Sequence, residues 1–407
     1  MRLVAFLREN ANWLGAGMLL TFLSSFGQTF FISIFAGEIR TEFNLSHGEW
    51  GGIYTLGTSL SALIMIWAGG LTDHFRARAL GAAVLVMLVL ACLFMALNHA
   101  VWLLPLVILA LRFTGQGMAS HIAVVAMARW FIATRGKALS IATLGFALGE
   151  ALLPLIFVSL MLIYDWRLLW GLAALIVGIG FPVLLMLLRR ERTPQSLATT
   201  DQALGMSARH WTRNQAVGHW LFWFMVPAIL GPSAFNTAFF FHQVHFAEIK
   251  QMTHVALVAM FPFYTLVSIG AMMLSGWALD RLGTARLIPY FQLPMVVAFI
   301  IFAYASGTAT MVLGFFFLGL TTGANTTLPT AFWAEFYGTR FIGSIKALAA
   351  AVMVFGSAIG PGMTGVAIDL GLGIETQYLI VAAYFIFASA MVFIGVRRAS
   401  PLLSAPA

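Results

Sequence analysis

Charged residues are scarce in this sequence: aspartate, glutamate, lysine and arginine together make up 9% of its 407 residues. Hydrophobic residues make up 61%. A soluble chain of this length could not bury so much apolar surface in its cores. The composition therefore excludes soluble enzymes and soluble binding domains, and it predicts an integral membrane protein.

Cysteine is nearly absent as well. The single cysteine, Cys92, lies in an apolar segment, which excludes an internal disulfide and a metal cluster built on cysteine. The sequence has no Gly-Lys-Ser/Thr phosphate-binding loop and no plausible nucleophile–base pair, so it predicts neither an ATP-driven pump nor an enzyme. We expect no cofactor and no metal. His242, His245 and Glu248 share a helical face that could bind a metal or sense pH, but we interpret them as hydrogen-bonding lipid headgroups.

Long apolar runs, in contrast, are abundant. A helix that crosses about 30 Å of hydrocarbon needs roughly 20 mostly apolar residues. The runs between polar breaks predict twelve such spans, at residues 13–36, 48–70, 79–97, 102–127, 138–162, 168–188, 218–243, 255–275, 287–306, 309–331, 344–369 and 377–396. The first run follows Arg2 and Arg8, as in a signal peptide, but it is too long and lacks a small-residue cleavage site, so we interpret it as a span.

The basic residues are distributed unevenly about these spans. Of the 22 lysines and arginines, eighteen fall on the side of the termini, three on the other side, and Arg112 inside a span. Cytoplasmic loops carry the excess of basic residues, so both termini are predicted to be cytoplasmic, in a cell inner (plasma) membrane. The net charge of +8 then serves topology and contact with anionic lipid headgroups, and nucleic acid is not an expected partner.

An internal repeat divides the chain into halves. Residues 189–216 form the longest polar stretch, so we predict an N-terminal six-helix bundle at 1–188, a cytoplasmic linker at 189–216 and a C-terminal six-helix bundle at 217–407. Five pairs of residues are separated by 207 positions: Gly69 and Gly276, Asp73 and Asp280, Gly136 and Gly343, Gly149 and Gly356, and Pro154 and Pro361. Parallel six-span halves joined by a linker are a transporter architecture.

The loops after predicted spans 2 and 8 carry the most specific motif. The first contains Gly69, Asp73 and Arg78, and the second contains Gly276, Asp280, Arg281, Gly283 and Arg286. Both resemble the signature loop of the major facilitator superfamily, although Arg76 stands where a glycine is usual. The resemblance implies twelve helices in two pseudo-symmetric bundles and transport by alternating access. The loops would gate the cytoplasmic side; the alternative is a tight turn with no gating role.

A narrower resemblance begins before predicted span 5. The sequence from Trp130 to Leu139 (WFIATRGKAL), followed by Gly145, Gly149 and Pro154, is similar to the monocarboxylate-porter and oxalate/formate-exchanger branch. Residues 337–340 (YGTR) and 356–361 (GSAIGP) fit the same branch. Those porters usually carry a basic residue in span 8, which is missing here between Val255 and Ser275.

Two charged residues lie deep in predicted spans, where a charge costs about 2.5–3.5 kcal/mol. Arg112 in span 4 and Glu150 in span 5 both fall near mid-depth. In one hypothesis Arg112 binds an anionic substrate and Glu150 carries the coupling proton. In a second, Arg112 belongs to the superfamily's fourth-span Arg-x-x-x-Gly feature, orders helices and relays protons. In a third, the two residues form a permanent, inert ion pair.

Uncharged polar residues on spans 1, 4, 7 and 10, the spans that face the cavity in the superfamily that the chain resembles, complete the candidate site, and Tyr264 of span 8 is a candidate for its apolar wall. The amides rank highest, because a full amide is difficult to satisfy in a membrane helix. The predicted substrate-binding residues are Arg112, Gln28, Gln116, Asn236, Asn325 and Tyr264. His121, deep in span 4, is a weaker candidate for a proton relay.

The sequence as a whole predicts a secondary transporter of a small organic anion, a carboxylate by preference, coupled to protons. The alternative is a proton-coupled drug or metabolite exporter, and a non-transporting membrane sensor ranks lower. Glu150 occupies the proline position of a pattern that resembles the antiporter motif, which weakens the exporter hypothesis. The expected partners are the solute, protons and membrane lipid, and the expected assembly is a monomer.

Overall fold

The computed structural model describes residues 3–131, 134–190, 204–338 and 340–403. Within these ranges the chain folds into helices, and no strand occurs. Residues 191–203 of the predicted linker lie outside the described residues, as do Ile132, Ala133 and Thr339 of the carboxylate-porter motifs. Leu71–His74 is a short helix, but the side chain of Asp73 is likewise outside the described part.

The described residues contain twelve apolar helical segments that match the twelve predicted spans, and we number them in chain order. Span 1 is the bent pair Ala11–Gly27 and Thr29–Phe43, and span 9 is the shorter helix Leu293–Tyr304. The other ten are long and apolar enough to cross a bilayer: His47–Ala68, Ala77–Leu97, Val101–Trp130, Gly136–Met161, Trp166–Leu187, Trp220–Phe241, His254–Leu282, Thr308–Tyr337, Ser344–Asp369 and Ile374–Leu402. The predicted all-α membrane fold is confirmed.

Capping residues determine where several spans begin and end. Span 2 begins after Ser46, whose hydroxyl accepts a hydrogen bond from the Glu49 N–H at 3.1 Å, while Glu49 accepts one from the Ser46 N–H at 2.8 Å. This reciprocal arrangement satisfies two amides that the first helical turn leaves without partners. Span 8 ends at Gly283, whose φ of +76° favours glycine.

Span 1 is broken near its middle. Ser24–Gly27 is a 3₁₀ turn, Gln28 is extended with φ −87° and ψ 154°, and the helix resumes at Thr29. The two parts differ in direction by 47°. The sequence prediction of one continuous helix over 13–36 missed this break, because apolar residues flank it on both sides.

The chain forms two compact units. Unit 1 comprises Met1–Ala198, Phe240–His245 and Thr253–Ala259, and unit 2 comprises Thr199–Phe239, Phe246–Met252 and Met260–Ala407. Spans 1 to 6 thus belong to unit 1 and spans 9 to 12 to unit 2, whereas spans 7 and 8 contribute residues to both.

Aromatic rings fill the core of unit 1 beside the break in span 1. The ring centroids of Phe31 lie 4.9 Å from those of Phe26 and of Phe157, and Phe35 lies 5.2 Å from Trp170. Span 5 approaches span 1 through glycine: a Cβ at Gly149 would lie 2.0 Å from Ser25 Oγ. Small residues allow such close helix packing in membranes.

The part of span 7 in unit 1 is held by polar contacts with span 1. The Ser33 hydroxyl donates to the Phe240 carbonyl at 2.7 Å. The Gln243 amide donates to Ser33 Oγ at 2.8 Å and to the Phe30 carbonyl at 3.3 Å. Gln243 and Ser33 are fully buried, so these bonds form in an environment without competing water, where they are stronger.

Unit 2 includes a folded part of the predicted linker. Met206 and Trp211 are buried in the same hydrophobic core as Phe336 and Tyr337 at the end of span 10. The Trp211 N–H donates to the Tyr337 carbonyl at 3.1 Å, and its indole N–H donates to the Met206 carbonyl at 3.1 Å. This part of the linker is therefore an integral part of unit 2.

His219 joins this folded segment to span 7. Its ring lies 4.8 Å from the Trp211 ring, and its Nδ1 accepts a hydrogen bond from the Leu221 N–H at 3.4 Å. Burial and the nearby Arg209 guanidinium lower the pKa of His219. The ring is therefore neutral at pH 7, which leaves Nδ1 able to accept this bond.

Replacing Trp211 with alanine is expected to lower the free energy of unfolding by about 3 kcal/mol, because a large buried side chain and its hydrogen bond are both lost. The melting temperature of the detergent-solubilised protein measures the effect. Trp67→Ala is the control, since that side chain is 73% exposed. Equal melting temperatures for the two variants would show that the linker segment does not contribute to the stability of unit 2.

Candidate functional site

Arg112 lies where span 4 departs from α-helical geometry. Residues Arg112–Ala119 form a π-helix inside Val101–Trp130. Such local widening is uncommon and often occurs at functional sites. The side chain of Arg112 is buried, with 2% relative exposure. The sequence prediction of an arginine deep in span 4 therefore agrees with its position in the helix.

The guanidinium of Arg112 contacts the break in span 1. Nη1 donates to the Gly27 carbonyl at 3.3 Å and to Thr29 Oγ1 at 3.2 Å. The Tyr54 ring centroid lies 5.4 Å from Cζ, and the hydroxyls of Tyr54 and Thr29 are 2.5 Å apart. These partners are neutral, so within the described residues no carboxylate neutralises this buried charge.

One edge of the guanidinium makes no hydrogen bond to the described residues. Nε is buried and has no hydrogen-bond partner, and both hydrogen bonds of the group leave from Nη1. The N–H groups of Nε and Nη2 point in the same direction and form the fork that binds a carboxylate bidentately. The arrangement therefore leaves an edge with two donors, of which Nε is buried, for an anion.

Two glycines bring the break in span 1 against the π-helix of span 4. A Cβ at Gly115 would lie 2.6 Å from Gly27 Cα, and a Cβ at Gly27 would lie 2.1 Å from the Leu111 carbonyl oxygen. Both spans are thus in backbone contact beside Arg112, and this contact places the Gly27 carbonyl within reach of the guanidinium.

Glu150 is half-buried in span 5, but it is not a partner of Arg112. The hydrogen bonds of Arg112 go to Gly27 and Thr29 of span 1. The hypothesis of a permanent Arg112–Glu150 ion pair is therefore wrong for this conformation. Glu150 follows Gly149, which packs against Ser25, so it lies close to the same break in span 1.

The four amides that the sequence ranked as substrate-binding share one property. Within the described residues, no hydrogen bond involves the side chains of Gln28, Gln116, Asn236 or Asn325. Asn236 Oδ1 is buried without a partner. Tyr264 differs, because its hydroxyl donates to Thr322 Oγ1 at 3.2 Å on span 10. Gln28 and Gln116 belong to unit 1, whereas Asn236, Asn325 and Tyr264 belong to unit 2.

Sequence reasoning missed two of the residues around Arg112. Gly27 acts through its carbonyl, which no composition pattern reveals, and Tyr54 lies in span 2, which contributed no candidate substrate-binding residue. Thr29 is polar, but it is not an amide, and the amides are the side chains that the sequence analysis placed first. A short cluster of small and polar residues at 24–29 was the available signal for a break in an otherwise apolar span.

The repeat of 207 residues extends to the helix irregularities. Span 7 contains a π-helix at Pro232–Asn236, which corresponds in the repeat to residues 25–29 of span 1. Asn236 is the counterpart of Thr29, and Gly319 is the counterpart of Arg112. The first helix of each half is therefore deformed at the same position, but the arginine occurs in one half.

Span 4 also holds the first predicted gating loop. His121 Nε2 lies 3.2 Å from the Gly69 carbonyl oxygen, and Arg129 Nη1 donates to the Thr72 carbonyl at 2.6 Å. His121, which the sequence suggested as a proton relay, thus contacts the loop backbone. Arg78 is exposed.

The second predicted gating loop lies at the end of span 8. Asp280, Arg281 and Arg286 are exposed, and the Arg281 guanidinium lies 4.5 Å from the Trp277 ring centroid. A Cβ at Gly276 would meet no atom within 4 Å, so no close contact of unit 2 requires this glycine. The gating role of both loops stays a prediction.

The histidines near the end of span 7 are close to a third one. The ring centroids of His245 and His47 are 4.3 Å apart, and those of His242 and His47 are 6.0 Å apart. Among the described residues, no group of three or more histidine, cysteine or acidic side chains has an arrangement that could hold a metal ion. The metal hypothesis for His242, His245 and Glu248 therefore has no geometric support.

The twelve apolar helices of the described residues, the repeat of six spans and the polar groups within them define a polytopic transporter fold. The family model of the major facilitator superfamily matches residues 17–361, and the chain belongs to this superfamily. It is thus a multi-pass secondary transporter that works by alternating access, and not an enzyme. A comparison with curated proteins gives no match.

Solved structures of other transporters share the fold. A bacterial homolog of the human lysosomal transporter Spinster, inward-facing and unoccupied, is similar with a TM-score of 0.72 and 16% identity over 98% of this chain and 99% of that chain. A D-xylose–proton symporter gives 0.73 and 14% over 94% and 97%. The nucleoside transporter NupG gives 0.70 and 14% over 96% and 99%. These low identities show the fold alone.

Proposed function

We propose that this transporter moves a small organic anion, with a carboxylate as the group it recognises, and couples the movement to protons. The observation that carries the proposal is the buried guanidinium of Arg112, whose Nε has no hydrogen-bond partner. The cytoplasmic orientation of both termini, the inner-membrane location and the monomeric state are part of the same proposal.

A buried arginine without a counter-charge is unfavourable in an apolar environment. The Gly27 carbonyl and the Thr29 hydroxyl satisfy one nitrogen of Arg112 but bring no negative charge. A carboxylate on the Nε–Nη2 edge would supply both the charge and two acceptors, in the geometry that guanidinium favours. A cationic or purely apolar substrate would leave Arg112 as it is, so the site favours an anion over a cationic drug.

The position of Arg112 accounts for a departure from the carboxylate-porter pattern. Those porters usually carry a basic residue in span 8, and this chain has none between Val255 and Ser275. We propose that Arg112 of span 4 performs the same recognition here. Gln28 and Gln116, whose amides belong to the same unit, would bind other polar groups of the substrate.

Glu150 is the proposed site of the coupling proton. It is half-buried and adjoins Gly149, which packs against the break in span 1. Carboxyl side chains within membrane helices form proton relays in pumps and transporters. A proton bound at Glu150 would lie on the span that packs against the break in span 1.

Sealed proteoliposomes that contain a pH-sensitive dye test the function. Acetate, lactate, oxalate and succinate are compared with a panel of cationic drugs, and we expect at least one carboxylate to drive proton movement. In Glu150→Gln we expect carboxylate counterflow to persist while proton movement falls at least about tenfold, because the titratable group is lost. Glu9→Gln, which changes an exposed carboxylate, is the matched control and should behave as wild type.

The opposite pattern would select the exporter. If the carboxylates cause no flux while cationic drugs move protons, the substrate class is wrong. If Glu150→Gln still moves protons at the rate of wild type, the anion assignment stands but Glu150 is not the coupling residue.

A further inference from the structure

We propose that Thr29 is a positioning residue: together with the Gly27 carbonyl it holds Nη1 of Arg112, so that the Nε–Nη2 edge faces the substrate carboxylate. Arg112 thereby links occupancy of the site to the bend in span 1. The inference rests on the proposed function, because it concerns the same guanidinium, but it assigns a role to a residue that does not contact the substrate.

The two acceptors of Nη1 lie on opposite sides of the break. Gly27 is the last residue of the 3₁₀ turn, and Thr29 is the first residue of the helix that follows. Gln28 between them is extended. One nitrogen, at 3.3 Å and 3.2 Å from the two oxygens, therefore bridges the two parts of span 1.

Thr29 is itself fixed by a second hydroxyl. Tyr54 on span 2 is fully buried, and its hydroxyl lies 2.5 Å from Thr29 Oγ1. The Tyr54 ring also lies 5.4 Å from Cζ of Arg112, at a distance that allows a cation–π contact. Span 1 thus restrains the guanidinium through hydrogen bonds to Nη1, and span 2 restrains it through the Tyr54 ring. Nε has no hydrogen-bond partner.

This geometry separates orientation from recognition. Without the hydrogen bond from Nη1 to Thr29, the guanidinium could rotate about its side-chain torsions. A smaller share of its orientations would then present the Nε–Nη2 edge to the substrate. Substrate would then bind more weakly, because the cost of orienting the donors would be added to the binding step. The chemistry of the free edge would not change, so the maximal rate of transport would be little affected.

The same bonds relate the substrate to the bend. The guanidinium is held through Nη1, so it restrains the 47° bend only as far as its own side chain is fixed. A bound carboxylate would hold the opposite edge, and the fixed guanidinium would then restrain Gly27 and Thr29 together. Substrate is therefore expected to narrow the distribution of angles between the two parts of span 1.

The test begins with transport kinetics in proteoliposomes, with the same four carboxylates as probes. Thr29→Val keeps the shape of the side chain but removes the acceptor, and we expect KM to rise about tenfold while the maximal rate stays within about twofold, in line with the loss of one hydrogen bond to a charged group. Thr29→Ser restores the hydroxyl and should restore KM. Thr58→Val is the control, since it removes a buried span 2 hydroxyl that has no partner.

The bend is measured separately with spin labels at Asn12→Cys and Thr41→Cys, two exposed positions on either side of the break, in a Cys92→Ala background. In the labelled protein that keeps Thr29, the carboxylate that is transported should narrow the distribution of distances between the two labels. Thr29→Val should broaden it even without any carboxylate.

The outcomes separate the two proposals. Unchanged KM in Thr29→Val, or a fall in maximal rate with KM unchanged, would overturn the positioning role while leaving anion transport intact. If the wild type transports none of the four carboxylates, the proposed function fails. The distances between the two spin labels, measured without carboxylate, then decide the positioning role. Equal distance distributions for wild type and Thr29→Val would overturn it. If Thr29→Val does not fold, Thr29→Ala replaces it in both measurements.

Discussion

Replacing Arg112 with glutamine is expected to lower carboxylate transport at least about 100-fold. The substitution removes two charge-assisted hydrogen bonds to the substrate, which together contribute about 3 kcal/mol or more, and each 1.4 kcal/mol corresponds to a factor of ten. Initial rates of uptake into proteoliposomes, at substrate concentrations below KM, measure the loss. Lysine at this position is expected to recover little activity, because an ammonium group lacks the planar fork of guanidinium.

The stability of Arg112→Gln distinguishes loss of function from loss of folding. The substitution removes a buried charge whose partners are neutral, which offsets the loss of its hydrogen bonds to Gly27 and Thr29, so the melting temperature should change little. Arg213→Gln changes an exposed arginine and should transport as wild type does. Undiminished transport by Arg112→Gln would refute the anion site, whatever its melting temperature.

Replacing Gly115 or Gly27 with alanine is expected to prevent correct packing of spans 1 and 4. The new Cβ would lie 2.6 Å from Gly27 Cα in the first case and 2.1 Å from the Leu111 carbonyl oxygen in the second. The opposing atoms belong to the backbone, so no side chain can rotate away. We expect each variant to lose several kcal/mol of stability and to abolish transport, because the same displacement moves the Gly27 carbonyl away from Arg112.

Size-exclusion profiles and melting temperatures of the purified variants measure this effect. Gly171→Ala is the matched control, because a Cβ at that position in span 6 meets no atom within 4 Å. It should be neutral or slightly stabilising, since alanine favours helix over glycine by up to about 1 kcal/mol. If Gly115→Ala were as stable as Gly171→Ala, the backbone contact of spans 1 and 4 would not exist in solution.

The sequence predicted the fold well because a bilayer places strong demands on composition. Each span needs about 20 apolar residues, and the polar breaks between them leave little choice of boundary. The predicted spans 3 at 79–97 and 11 at 344–369 agree closely with the helices Ala77–Leu97 and Ser344–Asp369. The superfamily follows from loops whose motif repeats at a fixed offset, which is information that a single sequence contains.

Local departures from regular helix were not predictable in the same way. Span 9, expected at 287–306, has its helix at Leu293–Tyr304. The break in span 1 and the π-helix in span 7 lie within segments whose average composition is that of a membrane span. Hydropathy averages over such runs and does not respond to backbone geometry. The π-helix of span 4 is equally invisible, since Arg112–Ala119 contains residues that an ordinary helix would accept.

The candidate site was predicted in part. The position of Arg112 as a deep charge follows from the sequence, but its contacts do not. The opposite charges of Arg112 and Glu150 suggested an ion pair, whereas the partners of Arg112 in the structure are a carbonyl and a hydroxyl of span 1. A backbone carbonyl becomes an acceptor only where a helix is interrupted, so the contact depends on the break that hydropathy could not reveal.

The break in span 1 also bears on the order of biogenesis. An interrupted helix facing lipid leaves backbone groups without hydrogen bonds, and each such group costs several kcal/mol. Span 1 is synthesised before span 4, so when it first enters the bilayer neither the close backbone contact of Gly115 nor the guanidinium that bonds the Gly27 carbonyl is present. A newly inserted span 1 is therefore expected to be more stable as an uninterrupted helix, and to acquire its kink only once span 4 is present.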